Sequence, residues 1–232
     1  MTASDRSFTF DSFPESYKPG SRRQKAEMIL AVLRHELGQT TTTSVSAIDI
    51  GCATGLITRY LAGSFKSMTG IDVLPESVRT AEEENSGSNI SYSLFDGQSI
   101  PYKNEAFQTV ILNHVLAYVP AGSHERFLAE TFRILKPGGI LYLGHANNWY
   151  CLLDRKISVL SRNALIPMLS VYGEVEEYTE RLITRPEEYR MFSGAVFKLF
   201  TTFVRILPSG LRHLAAILMP IHVYTVRKRQ SS

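Results

Sequence analysis

The sequence predicts a single α/β domain built on a mostly parallel, seven-stranded sheet, and three observations predict it. An apolar run over residues 45–50 breaks into Gly51-Cys52-Ala53-Thr54-Gly55 and then into a helical segment over 56–62. Short β-rich runs alternate with helical segments from there to residue 145. Strands spaced by helices require right-handed crossovers and a parallel sheet covered on both faces. The run 108–113 has an unbroken apolar centre, Val110-Ile111-Leu112, as expected of a strand buried on both sides.

Taken in order, residues 1–20 are polar with scattered aromatics, and Pro14, Pro19 and Gly20 argue against a long helix there. A helix is expected over 22–37, where Ala26, Ile29, Leu30 and Leu33 recur at helical spacing, with Gly38 ending it. Strands are expected over 45–50, 67–72, 90–95, 108–113 and 140–144, with helices over 56–62, 75–84 and 125–135. Pro75 suits a helix start. Lys136-Pro137-Gly138-Gly139 predicts a hard stop and turn before the fifth strand. Residues 147–183 fit no strand–helix unit, so 146–183 is expected to be an inserted substrate cap. A helix restarts at Thr184, with Pro186, Glu187 and Glu188 in its first turn. The sixth strand is expected over 197–206 and the closing strand over 221–227. On this reading 1–232 is one domain: residues 1–40 are a lid and helix, 45–145 the ligand-binding core, and 184–232 a C-terminal helix and closing strands.

With 44% apolar residues, the 232-residue chain can bury a substantial core. The net charge of +3 does not demand nucleic acid, and no aromatic–basic interleaving suggests RNA. Charge is uneven, however: residues 1–150 hold 13 basic and 15 acidic side chains, and residues 151–232 hold 12 and 7. The basic C-terminal part suits an anionic substrate, a membrane surface or a solvated face. Cys52 and Cys151 lack disulfide-framework or metal-type spacing, so a cytoplasmic location and no metal are expected. No run reaches about 18 apolar residues, and no transmembrane helix is expected. Peripheral membrane contact through 207–219 remains open, as does the choice between monomer and homodimer.

In open α/β sheets, ligands bind beyond the carboxyl ends of the strands. There the sequence places Asp49 with the glycine turn, Asp72 at the end of strand two, Asp96-Gly97-Gln98 after strand three and Asn113 at the end of strand four. Asp72 follows Gly51 by 21 residues, close to the separation at which an acid accepts from both hydroxyls of a ribose. An acid after strand three can accept from an exocyclic amine, which suits adenine. Each residue alone is an ordinary turn residue; the set points to a nucleoside.

This set resembles the class I S-adenosylmethionine-dependent methyltransferases, a Rossmann-like three-layer fold, and most of all their small-molecule "type 11" group. The resemblance covers residues 45–145. Asp49-Ile50-Gly51-Cys52-Ala53-Thr54-Gly55 is similar to the first family motif and Gly70-Ile71-Asp72 to the second. Phe95 to Tyr102 resembles the acid–Pro–aromatic segment, and Leu135 to Gly139 the Leu-Lys-Pro-Gly-Gly turn. The resemblance implies an antiparallel last strand and S-adenosyl-L-methionine as cofactor. It implies that Gly51, Cys52, Ala53 and Gly55 meet the methionine part and that Asp49 helps to fix its amino group. Asp72 and Val73 would lie at the ribose, Asp96, Gly97 and Gln98 at the adenine, and Asn113 near the reacting methyl. Tyr17 would close over the cofactor as part of a lid. Two positions depart from the pattern. Ala53 replaces the more frequent glycine, which is tolerated if its φ stays negative. Gln108 replaces a frequent Asp.

Methyl transfer from a sulfonium needs alignment, exclusion of water and, for a hydroxyl acceptor, a base. His145 is the first candidate base, followed by His114 and Tyr150. Asn147, Trp149, Tyr150, Arg155, Tyr172 and Tyr178 are the expected substrate contacts, a mixture suited to a polar small-molecule, glycan or lipid-linked acceptor. A catalytically inactive cofactor-binding regulatory subunit is the alternative. An NAD(P)-dependent oxidoreductase is a weaker one, because Leu56 stands where that fingerprint needs its third glycine.

Overall fold

The computed structural model describes residues 19–38, 42–146, 160–178 and 221–230. Helix α1, Pro19–Leu37, begins at a proline preset for a first helical turn, three residues before the expected start. It buries Ala26, Ile29 and Leu33. Strand β1 (Ser46–Ile50) leads through the glycine turn into α2 (Leu56–Ala62) and β2 (Ser67–Asp72). Then follow α3 (Pro75–Glu84), β3 (Ile90–Leu94), β4 (Phe107–Asn113), α4 (His124–Ile134) and β5 (Leu135–Ala146). Helix α5 (Arg162–Ser170), β6 (Gly173–Glu177) and β7 (Ile221–Lys228) complete the described elements.

The sheet has seven strands in the order β3-β2-β1-β4-β5-β7-β6. All pairs from β3 to β5 are parallel, and β7 runs antiparallel to both β5 and β6. The expected Rossmann-like α/β class with an antiparallel last strand is therefore the observed one. The strand order reverses between β1 and β4, which opens a crevice at their carboxyl ends. Alternation divides the strand residues between two cores. Ala47, Met68, Ile111, Ile140 and Tyr142 pack with α1 and α2. Ile48, Ile71, Leu112, Leu141 and Leu143 pack with α4 and α5.

Two expectations are corrected. The sixth described strand is Gly173–Glu177, within the expected cap; the strand expected over 197–206 lies outside the described residues. The second half of the expected 146–183 cap is thus a helix–strand unit. Ser161 caps α5 by accepting from the Ala164 N–H at 3.3 Å, and Leu165 and Leu169 are fully buried. The glutamates of β6 hid it, although charge on an edge strand is how sheets discourage further pairing. The helix expected from Thr184 also lies outside the described residues. The second correction concerns Lys136-Pro137-Gly138-Gly139, which does not stop the chain before β5. The strand begins at Leu135 and bulges: Phe107 faces Leu135 while Thr109 already faces Ile140. Lys228 closes the end of α4 by donating to the carbonyls of Phe132 (2.8 Å) and Leu135 (2.6 Å). Among the described residues no helix is long and apolar enough to cross a membrane.

Candidate functional site

The carboxyl edge carries the four strand-end groups, and hydrogen bonds tie the turn after β1 to the end of β2. The N–H groups of Gly51 and Cys52 both donate to the Ile71 carbonyl, at 2.7 and 3.1 Å, and that of Gly55 to the Cys52 carbonyl at 3.0 Å. The Ala53 N–H donates to Asp72 Oδ2 at 2.8 Å. These donors are satisfied within the protein, so the turn does not present a row of bare N–H groups. Ligand recognition falls instead to the side chains and to the shape of the turn.

That shape has braces absent from the sequence reading. Tyr92 Oη shares its proton between the carbonyls of Asn85 (2.9 Å) and Gly55 (3.2 Å). Asn85 Nδ2 donates to the Thr54 carbonyl at 2.9 Å. Thr58, in α2, donates to Asp49 Oδ2 at 2.7 Å. Asp49 is buried, and burial pushes its carboxyl up to about 7 despite the Thr58 bond. Burial, with Asp49 and Asp72 nearby, also pushes the Cys52 thiol up, so it is protonated and unreactive. Ala53 does not keep a negative φ: it sits at +49°, where an L side chain costs about 1–2 kcal/mol. Ala53→Gly is expected to raise stability by about 0.5–1 kcal/mol, since glycine's entropy cost offsets part of that strain. Urea unfolding measures it, and a lower midpoint would contradict the strain.

The loop after β3 is held from α4. Arg133 donates to the carbonyls of Ile100 (2.9 Å) and Tyr102 (2.7 Å) and to Glu130, and Glu130 accepts from the Ile100 N–H at 3.2 Å. Asp96 Oδ1 accepts from the N–H groups of Gln98 (2.8 Å) and Ser99 (2.7 Å), which hold its carboxyl below the usual range. Its Oδ2 has no partner among the described residues. Arg133→Ala should cost about 1–3 kcal/mol, because the Ile100 and Tyr102 carbonyls lose their donor. It should also loosen nucleoside binding several-fold, as read by calorimetry and thermal melts; an unchanged melt would refute the clamp.

The donor set fits a phosphate-free nucleoside carrying a zwitterion. Asp72 is buried at the end of β2 and Asp96 lies exposed beyond β3. Exposed Val73 lies beside Gly97, whose Cβ, if it had one, would come within 3.2 Å of Val73 Cγ1. These residues offer an acid for ribose hydroxyls, an acid for an exocyclic amine and an apolar surface between them. Asn113 Oδ1 is buried without a hydrogen-bond partner. It lies against Gly144, where an added Cβ would be 2.8 Å from it. A donor on a ligand would satisfy this buried acceptor.

The histidines separate. His114 follows Asn113 at φ +63°, and its N–H donates to the Gly144 carbonyl at 2.8 Å. Burial, then Lys25, His145 and Arg22, hold its imidazole well below the usual value, so it is neutral. His145 was expected just past strand five on the cofactor rim. It lies instead within β5, on the α4–α5 face with Leu141 and Leu143, whereas Asn113 and Gly144 turn toward α1. It faces His222 of β7, its Nε2 bonds the Leu160 carbonyl at 2.8 Å, and burial lowers it to about 4.

Two expected substrate contacts are also corrected. Tyr172 stacks on Phe132 with ring centroids 4.1 Å apart, next to Gly173, which pairs with Lys228 at the far end of the sheet. Tyr178 is buried under the end of α1 and donates to Glu36 Oε1. Among the described residues, His35, Glu36 and Glu176 form the one group spaced for a metal, but Glu36 already accepts from Tyr178 and from Thr225 at 3.1 Å. Tyr17, Asn147, Trp149, Tyr150 and Arg155 lie outside the described residues.

Sheet order, three acids at or near the strand ends and an open Asn113 suit a methyltransferase-type cofactor better than a dinucleotide. Residues 48–143, less than half of the chain, match the Methyltransferase domain family, which supports a class I S-adenosylmethionine-dependent methyltransferase with S-adenosyl-L-methionine as cofactor. The chain is 31% identical over 135 residues to nodulation protein S of Rhizobium tropici, covering 57% of this chain and 54% of that one. It is 29% identical over 112 residues to the mitochondrial ubiquinone biosynthesis O-methyltransferase of Mus musculus, covering 45% and 30%. The chain thus spans about half or less of the length of these curated relatives. Its fold is similar to that of the N-methyltransferase NodS of Bradyrhizobium japonicum in complex with S-adenosyl-L-homocysteine. The TM-score is 0.61 at 20% identity, covering 95% of this chain and 93% of that one.

Proposed function

We propose that the chain transfers the methyl group of S-adenosylmethionine to a hydroxyl of a small-molecule, glycan or lipid-linked acceptor. The observation that carries this reading is the convergence of Asp72, Asp96 and the partnerless Asn113 Oδ1 on one sheet edge. Asp72 holds the ribose, Asp96 with Gly97, Gln98 and Val73 holds the adenine, and Asn113 meets the amino-acid end. The bound cofactor supplies an electrophilic methyl on sulfur. The protein aligns the acceptor and excludes water, which is most of what such a displacement requires.

His114 replaces His145 as the proposed base. It adjoins Asn113 at the end of β4; burial leaves its imidazole neutral but weakly basic, so it contributes less than alignment does. A nitrogen acceptor is the second reading, favoured by the similarity to nodulation protein S and to the fold of an N-methyltransferase. The test is transfer of a labelled methyl from S-adenosylmethionine to a panel of hydroxyl and amine acceptors, after calorimetry with the cofactor and its demethylated product. Absence of binding by folded protein would end the methyltransferase reading. Binding without transfer to any acceptor would favour a regulatory, non-catalytic subunit.

A further inference from the structure

The two edges of the sheet end differently. Strand β6, at one edge, carries Glu174, Glu176 and Glu177, and charge of this kind keeps a further strand from pairing. Strand β3, at the other edge, reads Ile90-Ser91-Tyr92-Ser93-Leu94. It has no charge and no proline, and its register with β2 is unbroken. Its last residue, Leu94, is 50% exposed. None of the usual guards of an edge strand is present in β3.

The pairing of β3 with β2 shows which of its backbone groups are open. The Asn89 carbonyl accepts from the Met68 N–H at 2.9 Å, and the Phe95 N–H donates to the Asp72 carbonyl at 3.1 Å. Odd-numbered residues of β3 therefore turn their N–H and carbonyl toward β2, while Ile90, Tyr92 and Leu94 turn theirs away from it. The Ile90 N–H donates to the Gly87 carbonyl at 3.0 Å. Among the described residues, the Ile90 carbonyl and both backbone groups of Tyr92 and Leu94 are left without a partner. The side chains alternate as well. Ile90 and Tyr92 turn toward α2 and α3, and Leu94 shares their face. Ser91 and Ser93 occupy the other face, 3.2 Å from Thr69 Oγ1 and Tyr102 Oη.

The sequence of β3 reads almost the same in both directions. In an antiparallel pair with a second copy, centred on Tyr92, Tyr92 faces Tyr92, serine faces serine and Ile90 faces Leu94. The two Tyr92 residues then exchange their N–H and carbonyl groups. Each Leu94 N–H meets the Ile90 carbonyl of the second copy, and the Ile90 N–H keeps its bond to Gly87. Exposed Leu94 is covered by Ile90 of the second copy, and apolar cross-strand pairs of this kind are stabilising. A surface that complements itself in this way suits a two-fold axis.

We propose that β3 is the dimerisation edge of this chain, where two copies pair antiparallel through residues 90–94 about a two-fold axis at Tyr92 and join their sheets into one. The pairing uses only the sheet edge and holds whatever the acceptor. One feature opposes it. Helix α3 packs over β3 and exposes Glu76, Glu82, Glu83 and Glu84 against a single basic residue, Arg79. Joining two copies at β3 brings these acidic helices near each other, and salt screens their repulsion.

Sedimentation velocity of the full chain should show a dimer fraction that grows between about 1 and 100 μM protein, and grows further as salt rises from about 50 to 500 mM. Leu94→Pro removes an outward N–H on an edge strand, where proline is tolerated, and Leu94→Lys adds an edge charge. Each should weaken the dimer by at least about tenfold, in protein that circular dichroism shows to be folded. The register is read by treating mixed Ser91→Cys and Ser93→Cys proteins, both also carrying Cys151→Ser, with diamide. Serine faces serine at a position without ladder hydrogen bonds, where side chains lie close enough for a disulfide. The mixture should therefore cross-link and neither protein alone should. A monomer throughout the concentration range would overturn the proposal and leave the edge to a different protein. A dimer that both Leu94 variants leave intact, or a mixture that cross-links no more than its components, would overturn it too. If Leu94→Pro does not fold, Leu94→Lys and the cross-linking decide.

Discussion

Asp72→Ala is expected to weaken binding of S-adenosylmethionine and S-adenosylhomocysteine by at least about a hundredfold, through two losses that act together. The first is direct. Asp72 is the acid proposed to hold the ribose, and charge-assisted hydrogen bonds are worth about 1.5–3 kcal/mol each. The second loss is in the free protein. Asp72 Oδ2 accepts from the Ala53 N–H at 2.8 Å and Oδ1 from the Leu74 N–H at 3.0 Å. One carboxylate thus fixes the turn after β1 and the entry to α3 before any ligand arrives. Alanine strands both N–H groups in a largely buried corner, which should lower stability by about 2–4 kcal/mol. Asparagine does not rescue this, because its amide nitrogen would face one of the two backbone donors. Calorimetry and thermal unfolding, run on Asp72→Ala and Asp72→Asn, measure the two losses separately. Retention of affinity within about threefold in either variant would show that Asp72 neither holds the ribose nor fixes the turn.

Residues such as Asp72 were legible in the sequence because their role is local. A short apolar run, a strand-ending acid and a turn can be read without knowing the partners, and right-handed crossovers bring successive strand ends to one edge. The burial of Lys25 could not be read in this way. A lysine one residue before Ala26 in an amphipathic helix looks solvent-facing until the packing of α1 is known. Tyr92 lies in β3, the edge strand, and its burial alternates irregularly; its reach to Gly55 is a tertiary fact. The orientation of His145 depended on where β5 ends. Ending the strand at residue 144 released His145 onto the rim, whereas a strand to Ala146 fixes its side by parity. Gly173–Glu177 carries little strand signal, because it has three glutamates in five residues. Such a strand pairs through its backbone with β7, and propensity says little about that.

The same tertiary dependence makes Gly55→Ala a strongly destabilising small substitution. Gly55 sits at φ +77° where the turn enters α2. Alanine pays about 1–2 kcal/mol in that region, as Ala53 already does two residues earlier. At Gly55, unlike Ala53, space is also lacking. A Cβ there would lie 2.6 Å from Tyr92 Oη and 2.8 Å from Ala81 Cβ. Tyr92 is tethered to the Asn85 carbonyl and Ala81 is fixed in α3, so relief requires moving a helix or breaking the tether. Overpacking of this kind costs about 1–3 kcal/mol more. The sum, about 2–5 kcal/mol, is a large share of the roughly 5–15 kcal/mol that holds a domain together, and the melting temperature should fall by about 5–15 °C. Tyr92→Phe removes the hydroxyl and its tether and lets the ring swing aside. In the Gly55→Ala background it should therefore cost less than in the wild type, where it only sacrifices hydrogen bonds. The coupling in that double-mutant cycle is expected to be at least about 0.5 kcal/mol. Strict additivity would mean that Tyr92 does not limit the space at Gly55, leaving backbone strain and Ala81 as the whole cost.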